Sequence, residues 1–162
     1  WTLIRSTRAG SVNLHSYRKA AGASEPSSYT WTGGQNAAHV ATIIRLIAVN
    51  ATPINAEAAA SGTSADPVSP SITTTAANCF MLSVCSQSNS LAQTYTPPAG
   101  YVERADHNGS NLGVTQVTSE TATRVQAVAG ASGTATHNSN QIAGSQWVCH
   151  HIAIAPGSLT IA

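Results

Sequence analysis

Charge is scarce in this chain. Of 162 residues only 8% are Asp, Glu, Lys or Arg, against about a quarter in an ordinary soluble domain. Seven Lys and Arg stand against six Asp and Glu, for a net charge of +1. Such a chain cannot neutralise a run of phosphates, which excludes a nucleic-acid binder that works by charge. The same balance argues against a polybasic membrane-surface protein. Long apolar runs are missing as well. The longest, Val40–Val49, is interrupted by Thr42 and Arg45 and is shorter than the roughly 18 residues that span a bilayer. Leu, Ile, Val and Phe supply only 29 residues, a share low enough to raise disorder, but disorder also requires a high net charge. A weakly charged, Thr- and Val-rich chain with many turn residues reads instead as one all-β domain.

The signatures of common chemistry are absent too. There is no CxxC, no HExxH and no GxSxG elbow, so zinc-motif and α/β-hydrolase readings lose their sequence support. A Ser/His/Asp triad would have only Asp66 and Asp106 as its aspartate, both in expected turns. The carboxylates available to a glycosidase, Glu25, Glu57, Glu103, Glu120 and the two Asp, are scattered. We therefore assign no catalytic, cofactor or metal residue and expect a protein that is not an enzyme and needs no cofactor.

Six histidines still invite a metal. His150 and His151 are neighbours and point to opposite faces of a strand, so one is expected buried and one exposed. Cys149 and His151 share a face and supply two ligands, with His39 or His107 to complete a set. Asp106, Asn108 and Asn111, around an expected Asn108-Gly109 turn, are the one candidate calcium group, although such residues also shape turns. Cys79 and Cys85 lie six residues apart in one expected strand, roughly 20 Å when extended, too far for a disulfide. Cys149 is free to meet one of them across strands, and the alternative is three buried thiols acting as small hydrophobes.

What is present is a succession of strand signals. Val12–Tyr17 alternates with period two. Ser27–Thr32 (SSYTWT) is aromatic and β-branched, ended by Gly33-Gly34. Ala38–Val49 is the most apolar stretch and is expected as a buried strand, with Ile44 on its face. Asn50–Pro70 carries three prolines and reads as a long connection, with a short helical turn at Ile54–Ala60. Asn78–Ser86 and Ser145–Ala155 are expected core strands, Thr96–Gly100 (TPPAG) is a turn, and Leu112–Thr118 with Thr121–Val128 reads as a hairpin. Arg5, Arg8, Arg18 and Lys19 are expected on one solvated edge. Trp31, beside Gly33-Gly34, and Tyr29 are the best candidates for ligand contact. The other aromatics, Trp1, Tyr95, Tyr101 and Trp147, default to core packing.

The chain also echoes itself. Val12 and Leu14 match Leu112 and Val114 at an offset of 100, and Leu46 and Ala48 match Ile152 and Ile154 at 106. Half-repeats 1–50 and 101–156, joined by 51–100, would form a single β-sandwich domain over 1–162. Because TPPAG precedes Tyr101, the same logic expects an upstream strand and turn before Trp1.

Several segments carry a resemblance. They are Trp1–Arg5 (WTLIR), Ala23–Trp31 (ASEPSSYTW), Thr52–Ile54, Ser61–Ser64, Pro70–Thr75 and Thr96–Tyr101 (TPPAGY). Together they resemble a type of module, TPPAGW…EPSSYTW, found in phage virion proteins and in bacterial surface or secreted proteins. His15, Ser16 and Cys149-His150-His151 depart from its pattern. The resemblance implies a two-sheet antiparallel sandwich of jelly-roll type, lectin-like, with structural motifs and no functional residues to carry over. It implies a non-enzymatic part of a virion surface, a head decoration or tail fibre module packed against copies of itself and other virion proteins. Scarce charge agrees, since a free monomer of this kind tends to associate. The alternative is an extracellular or cell-surface module that binds host glycans or builds a filament. In neither case is nucleic acid or membrane insertion expected.

Overall fold

The computed structural model describes residues 1–34, 37–89, 92–111, 115–140 and 145–157. Thirteen strands follow one another along the chain: β1 (Thr2–Ala9), β2 (Val12–Arg18), β3 (Val49–Gly62), β4 (Val68–Ser69), β5 (Thr73–Thr74), β6 (Cys79–Asn89), β7 (Tyr95–Thr96), β8 (Val102–Asn111), β9 (Thr115–Gln126), β10 (Gly130–Ala131), β11 (Ala135–Thr136), β12 (Asn138–Ser139) and β13 (Trp147–Pro156). No helix occurs among the described residues, so the expected all-β class holds at that level.

Five long strands form one antiparallel sheet in the order β3-β13-β6-β9-β8. Strand β13 (WVCHHIAIAP), between β3 and β6, is buried from Trp147 to Ala155. A strand covered on both faces cannot afford an alternating polar side, and this one has none except its two histidines. Its neighbour β6 presents Cys79, Met81, Ser83, Cys85 and Gln87 to one face.

Each face has its own cover. On the first, Ile72, Tyr101 and Ala135 pack against Cys79, Met81, Ala122 and Ala153 of the sheet. Tyr95 packs with Cys85, Trp147 and Cys149 in a second cluster. The chain that supplies this cover is stitched by three two-stranded ladders, β4–β11, β5–β10 and β7–β12. On the second face lies the β1–β2 hairpin, closed by Gly10-Ser11 with Gly10 at φ 53°. His150 on β13 holds it through Ser16 and Thr7, and Ser11 meets Ser88 and Gln146. Arg5 forms an ion pair with Glu57 on β3, so this arginine faces the sheet and not a solvated edge.

Residues 37–47 cross the same face without ladder partners. They touch β8 at Gly109, where an added Cβ would lie 2.6 Å from the His39 carbonyl. They end beside β13, where the Gly157 amide donates to the Ala48 carbonyl at 2.7 Å. Val40, Ile44 and Leu46 are half-buried, whereas Ile43 and Ile47 are 60% and 78% exposed. The most apolar stretch is thus an extended strap, not a buried strand, and Ile44 lies on no strand face.

Other expectations are corrected. Asn50–Pro70 is no connection and has no helical turn, because Asn50–Gly62 runs in edge strand β3 beside β13. An edge position tolerates Pro53, and pairing overrides the helix preference of Ala-Glu-Ala-Ala-Ala. Ser27–Thr32 forms no strand. Asn108-Gly109 is not a turn but part of β8, paired with Thr118 and Val117. Thr115–Gln126 is one strand, so no turn divides Thr118 from Thr121. Leu112 and Val114 lie outside the described residues. The pair at an offset of 106 joins unlike positions, since Leu46 and Ala48 lie in and at the end of the strap while Ile152 and Ile154 lie in β13. The TPPAG turn is present, with the Tyr101 amide donating to the Pro98 carbonyl at 2.9 Å and Gly100 at φ 79°.

Candidate functional site

Two groups of side chains stand out, one on the surface and one sealed inside. The surface group gathers around Trp31. Its ring centroid lies 5.0 Å from that of Trp1 and 5.8 Å from that of Tyr17, and Trp1 meets Tyr29 edge-on at 5.3 Å. Trp1, Tyr17 and Trp31 are each more than 40% exposed. Trp1 immediately precedes β1, Tyr17 lies in β2, and the irregular 19–34 segment brings Tyr29 and Trp31 to them. Glu25 organises that segment: its carboxylate accepts from Lys19, Tyr29 and the Gly22 amide. The Lys19 and Tyr29 bonds, with the Gly22 amide behind them, hold the Glu25 carboxyl down at about 2. Lys19 also stands 5.0 Å over the Tyr29 ring.

Trp31 and Tyr29, the candidates for ligand contact, come together with Trp1, expected in the core, and with Tyr17 of the alternating strand β2. Of the aromatics expected in the core, Tyr95, Tyr101 and Trp147 are buried. Tyr95 donates to Gln87 at 2.9 Å, Trp147 Nε1 donates to Ser64 Oγ at 2.9 Å, and Tyr101 pairs with His151.

Inside, polar groups line the two faces of β13 and β6. Both His150 and His151 are fully buried, which corrects the expectation of one exposed histidine. His150 is held by Ser16 Oγ at 2.8 Å and Thr7 Oγ1 at 3.0 Å. Burial, with the Arg5 cation nearby, pulls its pKa down to about 4. His151 donates from Nδ1 to the Pro70 carbonyl at 2.7 Å, because that carbonyl only accepts. Its Nε2 is then the acceptor for the Tyr101 hydroxyl at 2.8 Å, and burial again lowers the pKa.

The expected Cys149–His151 metal pair does not assemble with His39 or His107, which are both exposed. The expected calcium group does not form either. Asn108 Oδ1 accepts from the Gln93 amide and Thr118, and Asp106 Oδ2 accepts from the Tyr95 amide. Both side chains fasten the 93–95 segment to β8. The Asn111 side chain lies outside the description.

A different constellation appears that no motif announced. His137 Nδ1 lies 2.6 Å from Glu120 Oε2, and its Nε2 lies 2.7 Å from Ser83 Oγ. The order serine–histidine–carboxylate matches that of a hydrolase relay. Yet Ser83, His137 and Glu120 are 0% exposed, and the Ser83 hydroxyl donates to Ser69 Oγ at 2.8 Å. With its hydroxyl proton given to Ser69 and both neighbours buried, Ser83 ties β6 to β4 and to the 135–139 segment. Cys85 and Cys149 are direct cross-strand neighbours, and all three cysteines are free and buried. Burial raises the thiol pKa of each. Comparison with family profiles, with curated proteins and with solved structures gives no match.

Proposed function

We propose that this chain is a non-enzymatic building module of a virion surface, a head decoration or tail fibre unit. It acts by packing against copies of itself and neighbouring proteins. The observation that carries the reading is its apolar exterior. Trp1, Leu3, Tyr17 and Trp31 are 41–50% exposed, and Ile43 and Ile47 more so, in a chain with 8% charged residues. Large exposed hydrophobics that are not offset by charge mark surfaces that become covered. A sheet faced by a hairpin and a strap supports a sandwich of jelly-roll type, the architecture that the TPPAGW…EPSSYTW resemblance implies. The sealed state of the Ser83–His137–Glu120 relay supports the absence of catalysis.

Sedimentation equilibrium on the isolated chain tests this reading. Concentration-dependent association, relieved in an Ile43→Ser/Ile47→Ser variant that melts at the wild-type temperature, supports it. A strict monomer at all concentrations contradicts it.

The aromatic cluster favours a second reading, a glycan-binding module. Exposed rings near one another offer the flat apolar faces on which sugar rings stack. A glycan array separates the two readings: selective binding that Trp31→Ala abolishes moves the function from packing to recognition.

A further inference from the structure

The register of the large sheet sets unlike donors side by side. Cys149 on β13 pairs with Cys85 on β6, Cys85 pairs with Glu120 on β9, and Glu120 pairs with Asp106 on β8. Residues paired across a ladder share a face, so a row of two thiols and two carboxylates crosses four strands. His137, between β11 and β12, lies over that row. The Cys85 Sγ, a Glu120 carboxylate oxygen and a His137 ring nitrogen all stand within 4.8 Å of one another. All three residues are fully buried, and three separate segments of chain deliver them.

A second observation is independent of that spacing. Glu120 Oε1 is buried and has no hydrogen-bond partner among the described residues. A carboxylate oxygen kept from water without a partner is costly. Its Oε2 already faces His137, so the unused oxygen asks for a further positive group.

We propose that Cys85, Glu120 and His137 supply three ligands of a zinc site that clamps β6 and β9 to the 135–139 segment, with a water in the fourth position of the tetrahedron. The donor set selects the ion. Sulfur and imidazole exclude calcium and magnesium, which take oxygen ligands, and a mixed S/N/O set suits zinc. Charge also fits: one thiolate, one carboxylate and a neutral imidazole cancel a divalent cation, so the interior stays neutral. Zinc displaces the thiol proton of Cys85 and the proton between His137 Nδ1 and Glu120, and both leave to solvent. On the far side of the ring, Nε2–H donates to Ser83, which donates to Ser69. That hydroxyl chain orients the imidazole from behind, as outer-shell partners of metal-bound histidines do. Tetrahedral zinc with bonds of about 2.0–2.3 Å sets its ligand atoms roughly 3.5 Å apart, so the 2.6 Å contact between His137 Nδ1 and Glu120 Oε2 opens while the wider spacings, up to 4.8 Å, close.

The test uses the full chain, stripped by chelator and reloaded with zinc or cobalt(II). The expected results are one zinc per chain by native mass spectrometry and a melting temperature roughly 5–10 °C above that of the stripped protein. The cobalt form should show a thiolate-to-metal charge-transfer band that is lost in Cys85→Ser and kept in Cys79→Ala. Absence of stoichiometric zinc, or a band unchanged by Cys85→Ser, overturns the proposal. Should Cys85→Ser fail to fold, His137→Gln is the second variant, with the same expected loss of zinc. X-ray absorption on the zinc-loaded wild type decides without any mutation. A shell containing sulfur supports the site, and a shell of nitrogen and oxygen alone refutes it.

Discussion

Acid should loosen the hairpin from the sheet. His150 is buried beneath β1 and β2, with Thr7 and Ser16 on its two nitrogens. The charged groups that face it are Arg5 on β1, His15 on β2 and Glu57 on β3. Burial comes first in lowering its pKa from 6.5 to about 4, Arg5 and His15 add to the effect, and Glu57 opposes it. A histidine whose folded pKa is depressed binds its proton more tightly when unfolded. Its contribution is therefore complete above pH 6.5 and drains away as pH falls toward 4. Two and a half decades of proton affinity at about 1.4 kcal/mol each amount to about 3 kcal/mol in full. Between pH 7 and pH 5 the loss is about 2 kcal/mol.

Urea unfolding at the two pH values measures this loss. With m near 2 kcal/mol/M, the midpoint should drop by roughly 1 M. His151, also lowered by burial, adds to the loss. Glu103 and Asp106, raised by burial, act in the opposite sense, since they hold their protons more tightly when folded. Both effects are common to wild type and His150→Gln, so the difference between the two proteins isolates His150. An equal pH dependence in wild type and His150→Gln would refute the reasoning.

Other perturbations follow from the same packing. Gly62→Ala would place a Cβ 2.6 Å from the indole of Trp147, its cross-strand partner. A loss of about 1–3 kcal/mol is expected in thermal unfolding, and a neutral result would mean that the indole moves aside freely. Glu57→Gln removes the carboxylate that pairs with Arg5, but both side chains are partly exposed, so less than about 1 kcal/mol should be lost. Glu25→Gln should weaken the bonds that tie Lys19 and Tyr29 to residue 25 and shift the fluorescence of Trp1 and Trp31 while leaving the melting temperature unchanged. An unaltered spectrum would show that the aromatic cluster holds without that carboxylate.

Much of the strand pattern was legible because burial leaves a mark on sequence. The alternation Val12–Tyr17 marks β2, and the uncharged, largely apolar runs Asn78–Ser86 and Ser145–Ala155 mark β6 and β13. Edge strand β3 was hidden, since its Ala-Glu-Ala-Ala-Ala core favours helix locally and only pairing with β13 makes it extended. The strap misled for the converse reason. Its apolar residues imply burial, but without ladder partners only every second side chain from Ile44 turns inward. Among the aromatics, Trp31 was legible from its Gly33-Gly34 neighbour. The assignment of Trp1 and Tyr17 to the same cluster depends on how the 19–34 segment folds back on the hairpin. The Cys85–Glu120–His137 set has no spacing signature at all. Its members lie 35 and 17 residues apart, and they meet only because sheet register pairs Cys85 with Glu120 and the 135–139 segment carries His137 over them.

The most direct measurement is to sediment the native source material and locate the chain by peptide mass spectrometry. The account predicts that it travels with DNA-filled particles, at a fixed ratio to the major shell protein. That ratio separates decoration from fibre. Recovery in the free fraction or with cell envelopes would contradict the virion reading and leave glycan binding or adhesion as the function to pursue.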